Sequence, residues 1–160
     1  MTPRRLVGAA ATAFALLLLA SVFVPQTVRT NWQGGAIVTN TTGTFFCAPI
    51  GTSSIAPTQS CITPLHTYLQ NSYSIGGTLS SLQALLDPAQ AGGTVTLTVY
   101  QNGGATGLTC QIAAGTTTCS DTTHTITVSP NDLLSLQIVI AAGANTINSL
   151  NWTGVFSTPQ

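Results

Sequence analysis

The sequence predicts an all-β chain, an antiparallel β-sandwich or barrel set behind an N-terminal apolar segment. Three observations carry this. Apolar and hydroxyl residues alternate over Thr94–Tyr100, so Val95, Leu97 and Val99 share one face and Thr94, Thr96 and Thr98 the other. An Asn-Gly pair follows at once in "QNGG", which tolerates positive φ and lets the chain reverse. Short candidate strands then recur at roughly ten-residue spacing with turn residues between them, the rhythm of sandwiches and barrels.

The opening "MTPRRLVGAAATAFALLLLASVFVPQ" has two arginines, an uncharged apolar run from Leu6 to Val24, and then Pro25. Residues 1–29 therefore read as a signal peptide or signal anchor, with the arginines on the cytoplasmic side. Residues 6–24, at about 1.5 Å each, nearly cross a hydrocarbon core of about 30 Å, so a transmembrane helix is admissible. Cleavage after Ala20 puts Leu18 at the −3 position, where a small residue is wanted, and both a removed signal and a retained anchor stand. Either exports the remainder, and contact with a membrane is expected only through residues 6–24 if they are kept.

Residues 30–42, containing "NWQGGAIVTNTTG", read as a linker with an edge strand, and residues 43–160 as the sandwich domain. "TFFCAPI" is a strand candidate, and "GTSSIAPTQSCITP" is a Pro- and Ser-bearing loop. "TLSSLQALLDPAQAGG" fits two readings. As a helix it has Ser80 or Ser81 at the N-cap and Leu82, Leu85 and Leu86 at helical spacing; as a strand it faces Leu82, Ala84 and Leu86 inward. After the Asn-Gly turn "ATGLTCQI" returns, "AAGTTTCSD" turns again, and "HTITV" points Ile126 and Val128 inward. "SPND" is a turn with Pro second, and "LLSLQIVI" puts Leu134, Leu136, Ile138 and Ile140 on one face. The last strand, "INSLNWTGVF", aligns Leu150, Trp152 and Phe156.

Charge narrows the function classes. Of 160 residues only three are basic and three acidic. The basic ones, Arg4, Arg5 and Arg29, precede Thr30, and the body beyond it carries only Asp87, Asp121 and Asp132. A body without cations cannot neutralise phosphates, so nucleic acid is not an expected partner. Hydrophobic residues make up 44%, which favours a folded domain over a disordered one. Solubility rests on Thr, Ser, Asn and Gln, a surface that suits an exported or assembled protein.

The four cysteines, Cys47, Cys61, Cys110 and Cys119, all follow the apolar segment. In an exported small domain an even number reads as two disulfides with three connectivities, of which proximity favours Cys47–Cys61 and Cys110–Cys119. No CxxC occurs, and neither His66 nor His124 is spaced for zinc with two cysteines, so no metal is expected.

The stretch from Gly76 to Val139 resembles a known family. Gly77–Leu82, Thr94–Gly103, Asn131–Asp132 and Leu133–Ile138 carry positions similar to the "GTLSNL", "TVTLxxNG", turn and "LLSLQI" segments of one group of jelly-roll domains. These are similar to tumour necrosis factor and the complement globular head, and end bacterial collagen-like surface proteins and phage tail fibres. The resemblance spans roughly residues 43 to 157. It implies a jelly roll with Thr78–Leu86 as a strand, and a homotrimer packed about a threefold axis. The chain departs from it in two ways: no Gly-X-Y repeat precedes the domain, and the turn reads Pro-Asn-Asp where Gly-Asp is common.

Chemical constellations are sparse. Asp121 and His124 are the only close acid–imidazole pair, but no nucleophile elbow accompanies them, and "SDTTHT" reads as a solvated turn entering a strand. Asp132 with Asn131 could contribute to a calcium site but has no second carboxylate nearby, and an Asx turn is the expected role. His66 reads as a loop residue. Among the aromatics, Trp32, Tyr68, Tyr73, Tyr100 and Trp152 are the candidates for stacking on sugars; Trp152 falls on an apolar face, and Tyr100 beside the turn, with Asn102, is the preferred ligand contact. Asn40 and Asn151 head N-glycosylation sequons. No cofactor is expected. The expectation is an exported, non-enzymatic structural or adhesive head at a cell or virion surface, a homotrimer whose partner is a glycan or surface protein. The alternative is a secreted carbohydrate-binding module.

Overall fold

The computed structural model describes residues 27–38, 42–49, 71–89, 91–143 and 147–159, and every regular element among them is a strand. These are β1 (Thr27–Val38), β2 (Gly43–Cys47), β3 (Asn71–Ser72), β4 (Gly77–Asp87), β5 (Val95–Gln101), β6 (Gly104–Ile112), β7 (Thr118–Val128), β8 (Leu133–Ile140) and β9 (Ile147–Pro159). They build two antiparallel sheets facing each other as a β-sandwich. One runs β1-β9-β4-β7; the other runs β2-β8-β5-β6, with β3 also paired to β8. The apolar segment expected as signal or anchor, with Asn40, Cys61, His66 and Tyr68, lies outside the described residues.

Alternation sorts the side chains as the pleat requires. Val95, Leu97 and Val99 on β5 have no exposed surface, while Thr96 and Thr98 are half-exposed on the other face. Leu134, Leu136, Ile138 and Ile140 of β8 and Leu150, Trp152 and Phe156 of β9 enter the same core from opposite sheets. Burying each of the larger side chains stabilises by about 1.5–3 kcal/mol. This core is what closes the two layers.

The ambiguous leucine segment is strand β4. Leu79, Leu82, Ala84 and Leu86 are buried while Leu85 is 51% exposed. A helix would have put Leu85 on the same face as Leu82 and Leu86, so the exposed leucine decides against it. Register against β7 slips once: Ser80 pairs Thr125 and Leu82 pairs Asp121, so residues 122–124 bulge opposite Ser81 alone. Ser81 takes φ 58° to accommodate this.

Two boundaries differ from the sequence reading. Most of the expected linker is β1, a twelve-residue edge strand paired along β9, so the sandwich begins before residue 43. The reason is a reciprocal fit of tryptophan over glycine. Trp32 pairs across from Gly154 and Trp152 across from Gly34. A Cβ on Gly34 would lie 2.6 Å from the Trp152 indole, and one on Gly154 would overlap the Trp32 indole. The pairs lock β1 onto β9 and hold both indoles in the core. The second boundary is the turn expected through Asp121. The reversal is confined to the Ala113–Thr116 bond and Gly115, and Cys119 and Asp121 already belong to β7.

Candidate functional site

Two side-chain clusters gather the residues with chemical potential. The first sits at the sandwich end where the β5–β6 and β7–β8 turns meet. Gln101 pairs with Gly104, leaving Asn102 (φ 51°) and Gly103 (φ 83°) as a two-residue hairpin loop with positive φ at both positions. Asn102 is tied into the neighbouring turn at three atoms. Its backbone N–H donates to the Leu133 carbonyl at 2.8 Å, its Oδ1 accepts the Leu133 N–H at 2.9 Å, and its Nδ2 donates to Asp132 Oδ1 at 2.7 Å. Asp132 Oδ2 accepts from Gln101 Nε2 and from the Ser129 N–H, both at 2.6 Å. Gln101 Nε2 also reaches the Thr127 carbonyl at 2.9 Å.

This donor set decides what Asp132 does. The Asn102 side chain, the Ser129 N–H and Gln101 together hold its carboxyl below the usual carboxylate range. Both oxygens face N–H donors, an arrangement suited to closing a turn and poorly suited to holding a cation. Asn102 likewise spends its amide within the protein. Tyr100, the other expected ligand contact, is half-buried, with its ring edge-on to Phe46 at 5.3 Å between centroids. Trp32 and Trp152 are core residues, and Trp152 Nε1 donates to the Pro49 carbonyl at 3.0 Å. Tyr73 packs on Phe156 at 5.0 Å, and burial pushes its phenol up to about 12. Neither indole is therefore a platform for a sugar.

The second cluster is Asp121 with His124. The pair forms, but Asp121 is not in a solvated turn: it is buried on β7 and accepts hydrogen bonds from five groups. Its Oδ1 receives the Thr123 N–H, the Thr123 hydroxyl and the His124 N–H at 3.1, 3.0 and 3.1 Å. Its Oδ2 receives the Thr109 N–H of β6 at 3.1 Å and meets His124 Nδ1 at 2.9 Å. Burial works to raise the Asp121 pKa, but the N–H groups of His124, Thr109 and Thr123 and the His124 ring outweigh it, holding the carboxyl far below its ordinary range. The carboxylate thus caps the bulge at residues 122–124 and binds the edge of β6 at once.

His124 is turned outward, with 61% of its side chain exposed. Among the described residues the only hydroxyl bonded to its ring is Thr123 Oγ1, which meets the same Nδ1 at 3.3 Å. A nucleophile would have to stand at Nε2, which makes no hydrogen bond among the described residues. The geometry orients an imidazole, and no nucleophile among the described residues meets it.

Beside this cluster, Cys110 of β6 and Cys119 of β7 form a disulfide. The bond joins the edge strand of one sheet to that of the other, and together with Asp121 it closes one side of the sandwich. Cys47 is also disulfide-bonded, and its expected partner Cys61 lies outside the described residues. Among the described residues no three His, Cys, Asp or Glu side chains are grouped to hold a metal.

A scan against models of known protein families finds no match, and a search of curated protein sequences finds none either.

Gln101 and Thr109 were not singled out by the sequence, although both complete these clusters. Gln101 lies 31 residues from Asp132, and Thr109 donates a backbone group that no side-chain motif reports. The available signal was two turns rich in Asn, Asp and Gln.

Proposed function

We propose that the chain is an exported, non-enzymatic jelly-roll head that self-associates as a homotrimer and serves as a structural or adhesive element at a cell or virion surface. The strand order carries this reading. With the two-residue β3 set aside, the first, eighth, third and sixth strands share one sheet and the second, seventh, fourth and fifth the other. Two Greek keys folded onto each other give this order, which supports a jelly roll.

Two further observations support the compartment and the assembly. A disulfide between sheet edges suits an oxidising environment. The outward positions of β4, β7 and β9 carry mostly Thr, Ser, Asn and Gln beside Leu85 and Val155, with Asp87 and His124 the ionisable exceptions and no Lys or Glu. Away from Asp87 at the end of β4, such faces can be brought together with little stripping of water from charges, the costliest step in burying a surface.

Light scattering during size exclusion tests the assembly, in detergent if the apolar segment is retained. Three times the chain mass is expected; a monomer at micromolar concentration removes the trimer and leaves the fold untouched. For the surface role, fractionation of a producing cell should place the protein outside the cytoplasm, and four free thiols in that material would overturn it.

A further inference from the structure

The Asn102–Gly103 loop has a chemical consequence apart from shape. Asn-Gly is the dipeptide in which self-cleavage of the side-chain amide meets least steric resistance, because glycine lacks a Cβ to shield its nitrogen. The Gly103 backbone nitrogen, having lost its proton to solvent base, bonds to Asn102 Cγ. The Cγ–Nδ2 bond breaks, ammonia leaves, and a five-membered imide remains. Water opens the imide to aspartate or to the isoaspartyl linkage, which balances the step with water as the only co-reactant.

In the folded tip this path is obstructed. Ring closure requires Cγ to swing over the Gly103 nitrogen, yet the amide is pinned at both ends: Nδ2 on Asp132 Oδ1 at 2.7 Å and Oδ1 on the Leu133 N–H at 2.9 Å. Its backbone N–H is fixed to the Leu133 carbonyl as well. Asn102 is nevertheless exposed, so water and base reach it freely. The barrier is the interlock and not access.

We infer that Asn102–Gly103 is a latent deamidation site, held closed by Asp132 and Leu133 in the folded protein and released when the two turns separate. The reaction runs one way in effect. It replaces the Nδ2 donor with a carboxylate facing the Asp132 carboxylate, so two acceptors of like charge meet where a charge-assisted bond stood. A molecule whose Asn102 has reacted while open is left with a tip that does not re-lock, a permanent record of that opening.

The test uses the full, oxidised chain in mildly alkaline buffer, with deamidation at residue 102 followed by peptide mapping and mass spectrometry. Folded wild type should keep Asn102 while reduced, denatured chain converts. Asp132→Ala that retains the native circular dichroism should convert roughly tenfold faster than wild type or more, the factor one charge-assisted bond adds to local opening. Equal rates in the two folded proteins would overturn the inference. Should Asp132→Ala not fold, an exchange of partners decides alone. Asn102→Asp should lower the thermal midpoint at neutral pH, and adding Asp132→Asn should restore much of the loss, since a donor again faces an acceptor. An Asn102→Asp protein as stable as wild type, or one the second change does not rescue, sinks the proposal.

Discussion

Replacing Asp121 with asparagine removes one charge and one acceptor from a site that uses both. The carboxylate serves five donors, three of them backbone N–H groups of β6 and the β7 bulge. An asparagine can keep Oδ1 on Thr123 and His124, but its NH2 then faces the Thr109 N–H, donor against donor. Losing a bond to a charged acceptor costs about 1.5–3 kcal/mol, and the remaining bonds weaken as they become neutral. The expected loss is about 2–4 kcal/mol at pH 7, or about 10 °C in thermal midpoint for a domain of this size. The assay is guanidinium unfolding followed by Trp32 and Trp152 fluorescence with disulfides intact. The pH dependence has a definite sign. The Asp121 carboxyl is held below its unfolded value near 4, so its contribution is complete above about pH 4 and shrinks as pH falls toward the folded value. The gap between wild type and Asp121→Asn should therefore narrow below about pH 4. A variant within about 0.5 kcal/mol of wild type at pH 7, or a gap unchanged at pH 2, would refute the role given to the carboxylate.

Other outcomes follow from the packing. Gly154→Ala forces a methyl into the Trp32 indole and should cost about 1–3 kcal/mol or more, with Gly34→Ala against Trp152 behaving alike; chemical denaturation with unchanged slope measures both. Serine in place of Cys110 and Cys119 releases a ten-residue loop and should lower stability by about 2–3 kcal/mol, read by comparing oxidised wild type with the double variant. Ser135 is buried with a hydroxyl that makes no hydrogen bond among the described residues, so Ser135→Ala should leave thermal stability unchanged or raise it by up to about 1 kcal/mol. A marked loss there would mean the hydroxyl has a partner.

How far the sequence could be read depends on the range of the interactions concerned. The faces of β5, β8 and β9 were legible because period-two alternation is local, and so was the Asn102–Gly103 reversal, which needs only its own two residues. The Cys110–Cys119 bond was legible from nine residues of separation. β4 was ambiguous because Leu82, Leu85 and Leu86 satisfy both periods; only the pairing with β7 and β9 exposes Leu85. β1 was legible only as an edge strand within a linker, because what fixes its length and register is Gly154, more than 120 residues away, which Trp32 covers. Asp121 was misread because a strand carrying a three-residue bulge resembles a turn until the β6 N–H it binds is known. For the candidate site the same holds: Tyr100 and Asn102 could be named, but not that Phe46 and Asp132 already occupy them.

The most direct test of the two-layer winding is solution nuclear magnetic resonance of the oxidised protein, looking for cross-strand proton contacts. Thr153 should show contacts to both Gln33 and Gln83, and Thr98 to both Gln137 and Thr109, with no ladder between β8 and β9. A continuous ladder joining those last two strands as a hairpin would contradict the account, because β8 and β9 belong to different layers.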